Sequence, residues 1–76
     1  MRQLGEYIVK SLVDNPDKVK LTEMESEKTT ILEVKVDEAD VGKIIGKQGR
    51  IIKSIRTILQ AAAAKKGKRV VVEMLD

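Results

Sequence analysis

Seventy-six residues are enough for one small domain; the 42% that are apolar supply a core, and the 36% that are charged keep the surface solvated. Cysteine and histidine are both absent, which excludes disulfides, thiolate or imidazole metal sites and histidine-based catalysis. The net charge of +3 conceals an asymmetry, with ten acids against six basic residues from Met1 to Gly42, then nine basic residues and no acid from Lys43 to Val72. A basic second half on so small a domain points to a polyanion partner.

The chain opens Met1-Arg2-Gln3-Leu4-Gly5-Glu6. An early acid and no continuous apolar stretch do not read as a signal peptide. No run approaches the roughly 18 apolar residues that a membrane span needs, so a cytoplasmic protein with no membrane association is expected. Gln3 to Val13 predicts a helix, because Leu4, Ile8 and Leu12 recur four apart. Asp14-Asn15-Pro16-Asp17 stops it, since proline disfavours helix at the residue before it. Val19 to Ser26 predicts a weak strand and Glu27-Lys28-Thr29 a turn. Thr30 to Val36 predicts a stronger strand, with Leu32, Val34 and Val36 on one face and Glu33 and Lys35 on the other.

Asp37 has the character of an N-cap, and Asp40 suits the positive end of a helix dipole. A short helix is expected over Glu38 to Ile45, interrupted by Gly46 to Gly49, then a longer one over Arg50 to Lys66. Gly67 fits the left-handed position after it. Lys68 to Leu75 predicts a last strand, with Val70, Val71 and Val72 suggesting burial on both faces. The order α-β-β-α-α-β predicts an α+β domain over residues 1–76. Its two-helix crossover favours a parallel, right-handed connection. A three-stranded mixed sheet with three helices on one face follows. Tyr7 and the methionines are expected in the core or at its margin.

The segment from Asp40 to Arg56 carries the chemistry. Two glycines three apart let the chain reverse tightly and remove side chains that would hold a phosphate off the backbone. The following helix offers unpaired N–H groups and the positive end of its dipole. Lys47 sits at the tip, with Lys43, Arg50 and Lys53 within about one turn. Beyond the loop, Ile51, Ile52, Ile55, Ile58, Leu59, Ala62 and Ala63 fill an arc of roughly 140° on the long helix. Most of that arc is core; its margin, with Val41, Ile44 and Ile45, would form an aliphatic groove for bases. Arg56 flanks the groove. Ile51 and Ile58 lie at one edge of the arc, where core packing and a homodimer seam are the two readings. With Tyr7 the sole aromatic residue, bases cannot be held on an aromatic platform.

Three rival readings fare worse. A nucleotide-binding P-loop needs four residues between its glycines and Ser or Thr after the lysine; here three residues separate Gly42 from Gly46, and Gln48 follows Lys47. An enzyme would need more than Asp37, Glu38 and Asp40, which a cap and a solvated helix start explain. A protein-interaction module that had abandoned the groove would have no need of Lys47 and Arg50.

The fuller pattern, Val41-Gly42-x-Ile44-Ile45-Gly46-x-x-Gly49-x-x-Ile52-x-x-Ile55 with a lysine in the loop, resembles that of a type II KH domain. The GXXG loop of such domains clamps about four nucleotides of a single strand. More narrowly, the chain is similar to the bacterial single-KH-domain RNA-binding family KhpA. The similarity lies in Glu6 to Pro16, Asp40 to Ile51 and Ala61 to Val70, and extends over essentially the whole chain. It implies a cytoplasmic single-stranded RNA-binding protein, not an enzyme, with no cofactor and no metal. It further implies an RNA chaperone in post-transcriptional regulation that forms homodimers, pairs with a KhpB-like KH protein and influences cell shape and cell-wall homeostasis. The expected RNA-binding residues are Lys43, Ile44, Ile45, Gly46, Lys47, Gln48, Gly49, Arg50, Ile52, Lys53 and Arg56.

Overall fold

The computed structural model describes residues 1–75, so Asp76 of the expected 1–76 domain lies outside the described residues. Helix α1 (Arg2–Leu12) leads through a tight turn at Pro16–Lys18 into strand β1 (Lys20–Glu25). Strand β2 (Thr29–Lys35) returns beside it, and Ser26 N–H donates to Thr29 O across the turn at 2.8 Å. Helices α2 (Val41–Ile45) and α3 (Arg50–Ala64) cross over to strand β3 (Arg69–Met74). The sheet order is β1-β2-β3. β1 is antiparallel to β2, as a short hairpin requires, and β3 is parallel to β2, as a two-helix crossover requires.

Alternation fixes which side chains meet the helices. Leu21 opposes Val34, Leu32 opposes Val72 and Thr30 opposes Val70, all buried on one face. Val9 of α1, Ile44 of α2 and Ile52, Ile55, Leu59 and Ala63 of α3 complete one core around Leu32, which is 0% exposed.

The structure corrects several local expectations. Val71 is not buried on both faces: it stands half-buried in the open row Met24–Ile31–Val71. The helix expected over Glu38 to Ile45 divides into a single 3₁₀ turn at Glu38–Asp40 and the five residues of α2. The Asp37 carboxylate caps that turn, accepting from Ala39 N–H at 3.0 Å. α3 ends at Ala64 rather than Lys66, and Gly67 takes the left-handed position (φ 69°). Tyr7 is 73% exposed, outside the core. Ile58, at 50% exposed, is also uncovered, because a three-stranded sheet is too narrow to span the whole apolar arc of α3.

Candidate nucleic-acid interface

The loop between α2 and α3 is built from left-handed backbone. Gly46 has φ 75° and ψ 178°, Gln48 has φ 58° and ψ 25°, and Gly49 has φ 73° and ψ 17°. Such angles are cheap for glycine and costly for other residues. Their effect is clearest in where the N–H groups go. Gly46 N–H bonds to Gly42 O at 2.8 Å and Gly49 N–H to Gly46 O at 3.2 Å, while Arg50 N–H turns back to Lys47 O. Among the described residues, the N–H groups of Lys47 and Gln48 meet no acceptor. Both residues are exposed at the tip. Arg50 lies alongside, its Nη2 3.4 Å from Gln48 Oε1, and Lys53 is exposed one turn further along α3.

Two expected site residues prove to be core. Ile44 is 0% exposed and Ile52 7% exposed. Five residues of helix present only one buried position, and Ile44 takes it. Ile45, 37% exposed, and half-buried Val41 remain accessible.

Lys43 is also not the free cation that its place in the sequence suggests. Its Nζ lies 3.1 Å from Asp14 Oδ2 and 3.4 Å from Asp40 Oδ1. Hydrogen bonding and charge from Asp14, with a further contribution from Asp40, raise the Lys43 ammonium above its ordinary value. Asp40 in turn is not part of a solvated helix start. It is 1% exposed, and its Oδ2 accepts from Asn15 N–H at 3.0 Å and from Asn15 Nδ2 at 3.2 Å. The turn ahead of Pro16 is thereby fastened to the start of α2. Burial pushes the Asp40 carboxyl up. The hydrogen bonds from Asn15, the Asp14 main chain and Lys43 outweigh it and hold the group below the ordinary 3.8.

A depressed carboxyl stabilises the fold above its unfolded value, and that contribution disappears as pH falls through the folded value. Thermal melts of the wild type are therefore expected to lose Tm steeply below about pH 4. Asp40→Asn should start roughly 5–10 °C lower at neutral pH and run flatter through the acid range. Parallel curves for the two proteins would show that this carboxylate does not govern acid stability.

Sequence reading singled out Lys53 and Arg56 but not Thr57, Gln60 or the strand opposite them. Lys53, Arg56, Thr57 and Gln60 follow helical spacing along one exposed face of α3. Arg56 Nη2 donates to Val72 O at 3.3 Å, and Gln60 Oε1 accepts from Val70 N–H at 3.2 Å. β3 is an outer strand; its Arg69 N–H donates to Lys28 O and the N–H of Leu75, just past its end, donates to Val34 O, both on the β2 side. By alternation the backbone groups of Val70, Val72 and Met74 point away from the sheet. Arg56 and Gln60 satisfy two of them. Among the described residues, Val70 C=O and Val72 N–H are left, with the groups of Met74, as an acceptor and a donor facing outward between the two side chains. Arg56, Thr57, Gln60 and Val70 to Glu73 line an open groove of about 660 Å³ here. The polar spacing on α3 was visible in the sequence; its apposition to β3 was not.

Among the described residues no helix is long and apolar enough to cross a membrane. A family model described as KhpA/KhpB, KH domain, matches residues 2–74. The chain is 54% identical over 76 residues to the RNA-binding protein KhpA of Aquifex aeolicus, covering 100% of this chain and 96% of that one. Identity to the protein of that name from Clostridium acetobutylicum is 59% over 75 residues, 99% and 100% of the two chains. For the Borreliella burgdorferi protein of the same name it is 60% over 74 residues, 97% and 90% of the two.

Proposed function

Since the chain belongs to the KhpA/KhpB family of KH domains, we propose that it binds single-stranded RNA along Gly46–Gly49 and the groove between α3 and β3. The family is one of RNA-binding KH proteins and not of enzymes. The observation that carries the reading is the pair of unspent N–H groups on Lys47 and Gln48, exposed at a bend beside Lys47, Arg50 and Lys53. A phosphate there gains directed hydrogen bonds and charge together.

The strand continues from the loop along α3. Ile45 and Val41 offer apolar contact near the bend, and Arg56, Gln60 and the outward groups of Val70 and Val72 face the bases. Every base offers a donor beside an acceptor, so base preference is weak. Without an aromatic platform, affinity per domain is modest, and a second domain adds useful avidity. Ile58, exposed on α3 beside half-buried Ile51, supports a seam between two copies. A KhpB-like KH protein is the proposed hetero-partner, in keeping with a family model that spans both kinds of chain. On this reading the protein works in the cytoplasm as an RNA chaperone in post-transcriptional regulation, with cell shape and cell-wall homeostasis as downstream effects.

The direct test is a salt series. If about three or four phosphates are neutralised, log Kd against log salt has a slope of roughly 2 to 3 in magnitude. Binding of a fluorescent oligoribonucleotide should weaken about thirtyfold between roughly 50 and 200 mM salt. A flat response would remove the phosphate-binding basis of the reading.

A further inference from the structure

Gly46 is pinned by one side chain. A Cβ built on it would meet Ile51 Cγ1 at 2.5 Å and Ile51 Cβ and Cδ1 at 2.8 Å. Ile51 therefore occupies the space that a side chain at position 46 would fill. It reaches across the mouth of the loop from the first turn of α3, and it is half-buried, packed against the core behind it. The other loop glycine has no comparable neighbour, its nearest such contact being Ile52 Cγ2 at 4.0 Å.

We propose that Ile51 is a positioning residue: a strut that holds Gly46 in its left-handed state and so keeps the Lys47 and Gln48 N–H groups turned outward to receive phosphate. The proposal rests on the RNA-binding reading above. Its physical basis is that the loop has little else to hold it. Two 3₁₀-type hydrogen bonds close the bend, and Gln48 sits at positive φ without being glycine. Strained backbone of this kind persists only where its surroundings over-determine it. A β-branched side chain in a helix is confined to few χ1 rotamers, which makes Ile51 a stiff support. Without it the loop spreads over other conformers, and apparent affinity falls by the fraction still competent to bind.

Ile51→Ala and Ile51→Val test this. Amide hydrogen exchange is followed in the free protein at Gly49 and Arg50, whose N–H groups close the bend, and in β2, and Kd is measured for an unstructured oligoribonucleotide of about eight nucleotides. For Ile51→Ala, loop exchange should rise and affinity fall by about tenfold each, while β2 protection holds within about twofold. Ile51→Val keeps the branch point and should return both within about twofold of wild type. Loop exchange unchanged in Ile51→Ala, or β2 loosened as much as the loop, overturns the strut. An unmutated protein that binds no oligoribonucleotide overturns the RNA-binding reading instead, and exchange in the free protein still judges the hold of Ile51 on the loop.

Discussion

Replacing both Lys47 and Gln48 by aspartate is expected to lower RNA affinity by at least about a hundredfold while moving Tm by no more than roughly 3 °C. The double change removes a cation from the point proposed for a phosphate and places two carboxylates there. A like-charge pair about 4 Å apart costs on the order of 1 kcal/mol even in water, and more beside a protein surface. Two such pairs plus the lost attraction account for the hundredfold. The fold is spared for separate reasons. Both side chains are exposed, and neither takes part in the core. Position 48 has φ 58°, which aspartate tolerates better than glutamine does. The start of α3 also welcomes negative charge. Fluorescence anisotropy and thermal circular dichroism give the two numbers. Binding retained within tenfold would place the RNA elsewhere on the molecule.

The glycines provide the second large effect, because they are not equivalent. Gly46→Ala combines a left-handed backbone that excludes a Cβ with overlap onto Ile51 at 2.5 Å. These terms cost about 1–3 kcal/mol each, so a loss of roughly 3–5 kcal/mol and 15–30 °C in Tm is expected. That is a large share of the stability of so small a domain. Gly49→Ala shares the positive φ but has room around it, and should cost only about 1 kcal/mol. Gly42 lies in α2 with nothing within 4 Å of a new Cβ, and Gly42→Ala should be neutral or stabilise by up to about 1 kcal/mol. Chemical denaturation of the three variants checks the order. Equal losses at 46 and 49 would mean that Ile51 does not press on Gly46 as described.

How much of this could be read from the residues depends on the range of each interaction. The element order, the mixed sheet and the bend at Gly46 to Gly49 follow from local signals such as hydrophobic period, proline and glycine. What eluded sequence reading joins distant parts of the chain. The Asp40 carboxylate resembles a surface cap until Asn15, 25 residues earlier, is seen to donate to it twice. Lys43 reads as a free cation until Asp14 folds back onto it. Ile44 and Ile45 are chemically identical neighbours, and only the way the five-residue α2 packs against α1 and α3 decides that the first is core and the second accessible. The groove beside β3 needs α3 and the last strand side by side, which no local pattern states.

The way β3 is finished has a consequence beyond recognition. A bare outer strand is a template on which another polypeptide can grow, and chains that leave one uncovered tend to aggregate. Gln60 and Arg56 occupy Val70 N–H and Val72 O with flexible side chains, so a passing peptide finds a broken ladder. A nucleotide needs only one or two contacts at a time and is not deterred by the gaps. The β3 flank can thus stay open to the proposed ligand while resisting the addition of a further strand.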